Sequence, residues 1–304
     1  MTIQQCEYIL EVYRSGSISG AAAKLFMAQS NLSNAIRSLE QELGFPIFVR
    51  SSHGVTPTEK GLAVLSQAGH ISEACEKIAA IGGHTSSQSV RISGTMYTPV
   101  CDAYVQLCTE YQNEPSINFS YIVDLSIEEA IDRVYLSILD MAVFLQGPRE
   151  NDALLRTCTQ KGLHISKIAQ IPIVLRIGPN HPLYKKPEIL LSDFDNYTFI
   201  DYNNHIYSEF SKLAEILKIS LDRTVYCPDR STKNELISHS SMYGVGCRLT
   251  EASNERYRFR NIPLGDLHYN LYCIEQNPEH TSPAARRYIE IVNEMLKNIS
   301  DEPV

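Results

Sequence analysis

The first strong pattern along the chain is helical. Ile3, Cys6, Ile9, Leu10 and Tyr13 recur at three- and four-residue spacing behind a Thr2/Gln5 capping pair, and Ser15-Gly16 closes the run. Ser19 stands where an N-cap would open a second, short helix carrying Ala21, Ala22, Ala23 and Leu25. Leu32, Ile36, Leu39 and Leu43 mark the apolar face of a third helix, which Gly44 ends. Its opposite face is unusual. Gln29, Ser30, Ser33, Asn34 and Arg37 stand in place of the Glu/Lys mixture of an ordinary solvated surface. Short hydrogen-bonding groups with one guanidinium suit base edges and phosphates. Two short helices joined by a tight turn form a helix-turn-helix. FPIFVR and SSHGVTPT then read as two strands around a His53-Gly54 tip, which is the wing of an all-α winged helix-turn-helix domain over residues 1–57.

From Thr58 to Ile81 there is no proline, and Leu62, Leu65, Ala68, Ile71, Cys75 and Ile78 repeat every three or four residues. The spacing predicts a long linker helix over 58–84, and its apolar seam is most simply a dimer interface, with packing on its own head as the alternative. GGHTSSQS reads as a hinge. Beyond it strands alternate with helices: VRISG, helix 100–111, INFSYIV, helix 127–136 and ILDMAVFL. IAQIPIVLRIG, a short LLSDF helix, YTFID, helix 208–217, TVYC, helix 232–240, YGVGCRL, LHYNLYCIEQ and a closing helix 283–299 follow. Such alternation predicts α/β architecture with parallel strands. Two α/β units joined twice fill residues 88–304. Subdomain I takes 88–162 and 266–304; subdomain II takes 163–265.

The stretch GSISGAAAKLFMAQSNLSNAIRSLEQELGFPIFVR, followed by GVTPTEKG, resembles the N-terminal domain of LysR-type transcriptional regulators. Ala22, Ala23, Leu25, Gln29, Ser30, Ser33, Ile36, Leu39, Glu40, Leu43, Gly44, Phe48, Arg50, Thr58 and Gly61 carry the resemblance. One departure is Ala28, where the family usually has Ser or Thr to cap the recognition helix. The resemblance implies double-stranded promoter DNA as partner, with Ser19, Gln29, Ser30, Ser33, Asn34, Arg37, Arg50 and Thr58 as the contact set. It implies a homodimer or homotetramer reading spaced half-sites, and allows RNA polymerase as a further partner. The two units then match the periplasmic-binding-protein-like effector domain of that family, which binds a small molecule.

In open α/β sheets, ligands sit beyond strand ends, where free N–H groups favour anions. Four such loops are Gly94 to Tyr97, Asp124 to Ser126, Asp201 to Asn203 and Tyr243 to Gly246. Candidate effector contacts are therefore Thr95, Met96, Tyr97, Ser126, Asp201, Tyr202, Gly244 and Val245. The resemblance singles out Thr95, Tyr97 and Ser126, for effectors that are frequently carboxylates. As a motif, Gly244-Val245-Gly246 is a lone GxG and reads as a tight turn.

Charge adds one distinction. The chain carries net −8, yet in residues 1–66 the cationic and acidic side chains balance, so the surplus acid lies in the body. A neutral head on an acidic body fits DNA reading with little non-specific grip. Eight cysteines are scattered without CxxC or zinc-type spacing, and nine histidines without ligand spacing. No metal or cofactor is expected. GxSxG, HExxH and the phosphate-binding GxxxxGK[ST] are absent, which argues against an enzyme. No charged start followed by an apolar run marks a leader, and no apolar stretch reaches about 18 residues, so a cytoplasmic protein is expected. A thiol-based redox sensor is the alternative within regulation; a bilobal enzyme or solute-binding protein is the alternative outside it.

Overall fold

A computed structural model describes residues 1–51, 54–81, 88–123, 125–147, 152–202, 217–219, 222–279 and 281–300. Helix α1 (Ile3–Ser15) opens on the expected capping box, in which Thr2 Oγ1 accepts from the Gln5 N–H and the Gln5 side chain accepts from the Thr2 N–H. Gly16 ends it in the left-handed region at φ 63, a conformation nearly free of cost only for glycine. That turn swings the chain so that Ser17, not Ser19, caps α2 (Ile18–Lys24), accepting from the Gly20 N–H at 3.1 Å. Ser19 lies exposed in the first turn instead. Helix α3 (Gln29–Leu43) follows, and Gly44 closes it at φ 77. Strands β1 (Phe48–Ser51) and β2 (Gly54–Pro57) pair antiparallel as the wing; Ser52 and His53, at its tip, lie outside the described residues. The Glu40 carboxylate accepts from the N–H groups of Ile47 and Phe48 at 2.8 and 3.2 Å, fastening the wing to the end of α3.

Helix α4 (Glu59–Ile81) packs part of the seam on its own head. Leu65 and Ala68 are buried in the chain's own head core, with Ile9, Leu32, Ile36 and Leu39, because α1 lies along this half of the helix. Along the apolar seam the far end stays open: Ile78 is 69% exposed. The helix thus divides: Leu65 and Ala68 are spent within the chain, while Ala63, Gln67, Ala74 and Ile78 are exposed along it. Residues 82–87 of the expected hinge lie outside the described residues, while Gln88 and Ser89 already belong to a strand.

The body runs β3 (Gln88–Ser93), α5 (Thr98–Glu110), β4 (Ile117–Ile122), α6 (Ile127–Tyr135), β5 (Met141–Gln146), α7 (Asp152–Gln160) and β6 (His164–Ile177). It continues with β7 (Phe199–Tyr202), β8 (Thr224–Cys227), α8 (Arg230–His239), β9 (Tyr243–Cys247), α9 (Glu251–Tyr257), β10 (Arg260–Glu275) and α10 (Pro283–Ser300). LLSDF forms a 3-10 turn over Leu191–Phe194. The helix expected at 208–217 falls almost wholly outside the described residues. Helices α7 and α9 were not expected; among their described side chains only Leu154 and Cys158, and Ser253 and Tyr257, are buried, at i, i+4 spacing, too weak a pattern to stand out.

All eight body strands form one sheet in the order β4-β3-β5-β10-β6-β9-β7-β8. Its two ends, β4-β3-β5 and β9-β7-β8, are parallel, and the long antiparallel pair β6 and β10 joins them. The crossings between lobes are therefore strands. One lies near Pro172 within β6, the other at the irregularity between Pro263 and His268 in β10. Strand β5 is buried along its whole length, as a strand covered on both faces must be.

Because Leu65 fills the head's own core, Leu65→Ala should cost about 2–5 kcal/mol in urea unfolding followed by far-UV circular dichroism. Ile78→Ala should cost less than about 0.5 kcal/mol at dilutions that keep the protein monomeric. Equal losses for the two would show that α4 does not divide as described.

Candidate functional site

Two surfaces collect the chemistry. On the head, Gln29, Ser30, Asn34 and Arg37 project from α3 into solvent, and Ser33 is half-buried among them. Arg50, from the wing, donates through Nη1 to Ser33 Oγ at 3.2 Å, so wing and recognition face are one surface. Thr58 is engaged differently: its hydroxyl accepts from the Gly61 N–H at 2.9 Å and donates to the Pro46 carbonyl at 2.8 Å. It pegs α4 to the wing strand. Ala28 occupies the N-cap of α3 and, lacking a side-chain oxygen, makes no cap hydrogen bond.

In the body, a cavity between the lobes is lined by Thr95, Met96, Tyr97, Tyr202 and Val245 from the expected set. Arg176, Arg230, Lys233, Asn234 and Gly246 join them. Strand register places Arg176 between Asn261 on β10 and Gly244 on β9. Its guanidinium donates to the Cys247 carbonyl and, at 3.5 Å, to Asn261 Oδ1, and it lies 5.1 Å from the Phe259 ring centroid. These partners are neutral, and among the described residues no carboxylate pairs with it. Burial lowers its pKa, but a guanidinium keeps its proton.

Lys233, on α8, is 4% exposed; its Nζ donates to the Val245 carbonyl at 3.2 Å and lies 4.4 Å from the Tyr202 ring centroid. Burial pushes the ammonium down to about 8, with the charge of buried Asp201 opposing the shift. Arg230, at the start of α8, has a buried Nη1 with no hydrogen-bond partner. Three cations thus converge on one cleft, with one buried carboxylate, Asp201, beside them among the described residues.

Gly244 and Gly246 make this possible. They lie inside buried strand β9 and not in a turn, on one face of it. A Cβ at 244 would sit 3.0 Å from Lys233 Cε, and one at 246 would sit 3.5 Å from both terminal nitrogens of Arg176. Of the other expected residues, Tyr97 is buried and spends its hydroxyl on the Arg248 carbonyl, making it a wall. The Thr95 carbonyl accepts from Tyr121 at 3.4 Å and from the Cys101 thiol at 3.6 Å, which fixes the loop after β3. Ser126 is not brought to the cavity; its hydroxyl caps α6 by accepting from the Glu129 N–H. Asp124 lies outside the described residues.

Arg176 and Lys233 escaped the sequence reading for opposite reasons. Lys233 sits in a polar helix that reads as solvated. Arg176 did leave a signal: a lone guanidinium inside the apolar run IVLRIG. Six of the thiols are shifted away from the thiolate. Burial raises the pKa of Cys6, Cys101, Cys158, Cys227 and Cys273, and pushes Cys247 to about 12. Reactive thiols need the reverse.

A family model described as the bacterial regulatory helix-turn-helix protein of the lysR family matches residues 3–62. A second, described as the LysR substrate binding domain, matches residues 94–297. The chain belongs to the LysR family. Among LysR-type relatives, the HTH-type transcriptional regulator GltR of Bacillus subtilis is 32% identical over 186 residues, 60% of this chain and 59% of GltR. The match therefore spans about three fifths of that relative's length. A probable RuBisCO transcriptional regulator of Trieres chinensis is 27% identical over 72% of this chain and 70% of its own. ArgP from Mycobacterium tuberculosis shares the fold with TM-score 0.64 at 15% identity, over 98% of both chains. A full-length variant of OxyR from Pseudomonas aeruginosa does so with TM-score 0.60 at 17%, over 99% of both. These LysR-type structures establish the fold of head and body together.

The uncapped α3 yields a direct expectation. Ala28→Ser supplies the missing acceptor and should raise head stability by about 1 kcal/mol in chemical denaturation. No gain would mean that the first turn of α3 is already satisfied in another way.

Proposed function

We propose that this LysR-type chain is a cytoplasmic DNA-binding transcriptional regulator whose two-lobed body takes a small anion as effector. One observation carries the effector class: Arg176, buried in the cleft, has only neutral hydrogen-bond partners. A buried charge costs several kcal/mol unless it is compensated, and a bound carboxylate or oxyanion would compensate it. Lys233 and the unsatisfied Nη1 of Arg230 enlarge the same field, and Thr95 lies at its edge. Tyr202 would close one side as an aromatic wall.

The head would read double-stranded promoter DNA with Gln29, Ser30, Ser33, Asn34 and Arg37 toward base edges and Arg50 toward phosphate. Homodimers, assembled further into tetramers, would present two or more such heads. The open stripe of α4, with Ala63, Gln67, Ala74 and Ile78 exposed, is the face we assign to the partner copy. An effector alters DNA geometry only if it binds one arrangement of subunits better than another.

Three measurements bear on this reading. In a thermal-shift panel of small mono- and dicarboxylates, phosphate and sulfate, a binder at about 100 times its Kd should add close to 2.7 kcal/mol of stability. Arg176→Gln should abolish that response while the unliganded protein still melts cooperatively; an undiminished response would place the anion elsewhere. The same binding should weaken with pH. Lys233 ionises near 8, so the anion meets an ammonium below that pH and a neutral amine above it. Since the anion itself favours the ammonium, the complex should titrate higher than the free protein. Lys233→Met should remove this dependence.

On a duplex selected from a random pool by the wild-type protein, Arg37→Ala and Ser33→Ala should each lose about 1–3 kcal/mol of binding, with circular dichroism unchanged. Ile78→Asp should sediment as a smaller species than wild type.

A further inference from the structure

The contact between α4 and the body has the make-up of a clamp. Ser66, almost fully buried on α4, donates from Oγ to the Tyr135 carbonyl at 3.1 Å. One turn on, Gly69 lies so close that a Cβ there would overlap the Leu136 carbonyl and sit 3.2 Å from Ser137 Cβ. His70 Nε2 meets Gln276 Oε1 at 3.0 Å. The Gln276 amide nitrogen donates to the carbonyls of Val134 and Tyr135 at 2.8 and 3.2 Å, and to Ser137 Oγ at 2.8 Å. Those carbonyl acceptors fix the amide's orientation, so the oxygen faces His70, and His70 must donate.

The acceptors belong to the last turn of α6, where the Val134 carbonyl also accepts from the Ser137 N–H at 3.0 Å. Ser66 and Gln276 supply the hydrogen bonds from outside the helix. Just beyond, Ser137 is held at φ 54, a left-handed conformation that a serine adopts only at a cost. Leu136 and Ile138, from the same corner, are buried in the core of the head, beside Leu65 and Ala68. The body thus inserts one corner into the head, and the insertion is held by polar groups that water could replace. Helix α6 leads from this corner back to Ser126, at the end of the loop after β4.

We propose that Ser66, Gly69 and His70 form a docking notch for the α6–β5 corner and Gln276, and that making or breaking this contact sets the angle at which the head is presented to DNA. The hydrogen bonds make the docked state specific, and the strained Ser137 together with the exchangeable polar contacts makes it releasable. Glycine at 69 is what lets two backbones meet closely enough for both properties.

The test uses the full chain. In Gly69→Ala and, separately, Gln276→Ala, hydrogen exchange at amides 65–72 and 134–139 should accelerate at least tenfold while the remaining core amides keep their protection. On the duplex selected by wild type, DNase I footprints of both variants should change in length or edge, with Kd within threefold of wild type. Unchanged exchange in both variants would show that no separable clamp exists. Faster exchange with an unchanged footprint would show that the contact is structural and does not orient the head. If Gly69→Ala fails to fold, Gln276→Ala, which removes only an accessible amide, together with Ser66→Ala, decides by the same two readouts.

Discussion

Everything in the body hangs on the antiparallel ladder between β6 and β10. It joins two parallel triplets that would otherwise be separate α/β units, and its register shifts at two places, between Pro263 and His268 and between Leu271 and Tyr272. A sheet passing through both lobes restricts how they move. Bending is confined to the few residues where the ladder lapses, and the cleft walls keep their register on either side. Arg176 owes its position to that ladder: cross-strand pairing seats it between Asn261 and Gly244, and only then does its guanidinium reach the Cys247 carbonyl.

The head obeys a different constraint, the economy of a small core. About sixty residues must bury enough apolar surface to hold three helices and a hairpin, and at that size a domain is marginal on its own. The head recruits the first half of α4 and, through Leu136 and Ile138, a corner of the body. The head of this chain is therefore not an independent bead on a string. Its stability and its orientation share the same contacts.

The helices of the head, the long α4 and most strands were legible because their apolar positions recur with clean periods and their ends carry strong signals, such as Gly16 and Gly44. What one chain's pattern could not reveal was the partner of each stripe. Leu65 and Ile78 look alike in a heptad, yet one is buried within the chain and the other is exposed. The cap shifted from Ser19 to Ser17 because a left-handed glycine decides where the backbone re-enters helical space, and two serines that close are equivalent by propensity. In the cleft, loops after strands could be anticipated from topology, and Thr95, Met96, Tyr97, Tyr202 and Val245 do line it. The cations could not. Arg176 and Lys233 are drawn into the site by strand register and helix packing; neither leaves a spacing motif, and the one trace is the lone guanidinium of Arg176 in an apolar run.

Gly246 gives the cleft a floor made of main chain, and Gly244 beside it leaves room for the Lys233 side chain. Side-chain walls can adopt new rotamers when a ligand changes shape, but a hydrogen-bonded ladder has no such freedom. The floor is rigid, and adjustments of selectivity must come from the rim, at Thr95, Met96 and Tyr202. A biosensor engineer would accordingly vary the rim to change which anion is recognised, and would touch the floor only to change whether an anion is recognised at all.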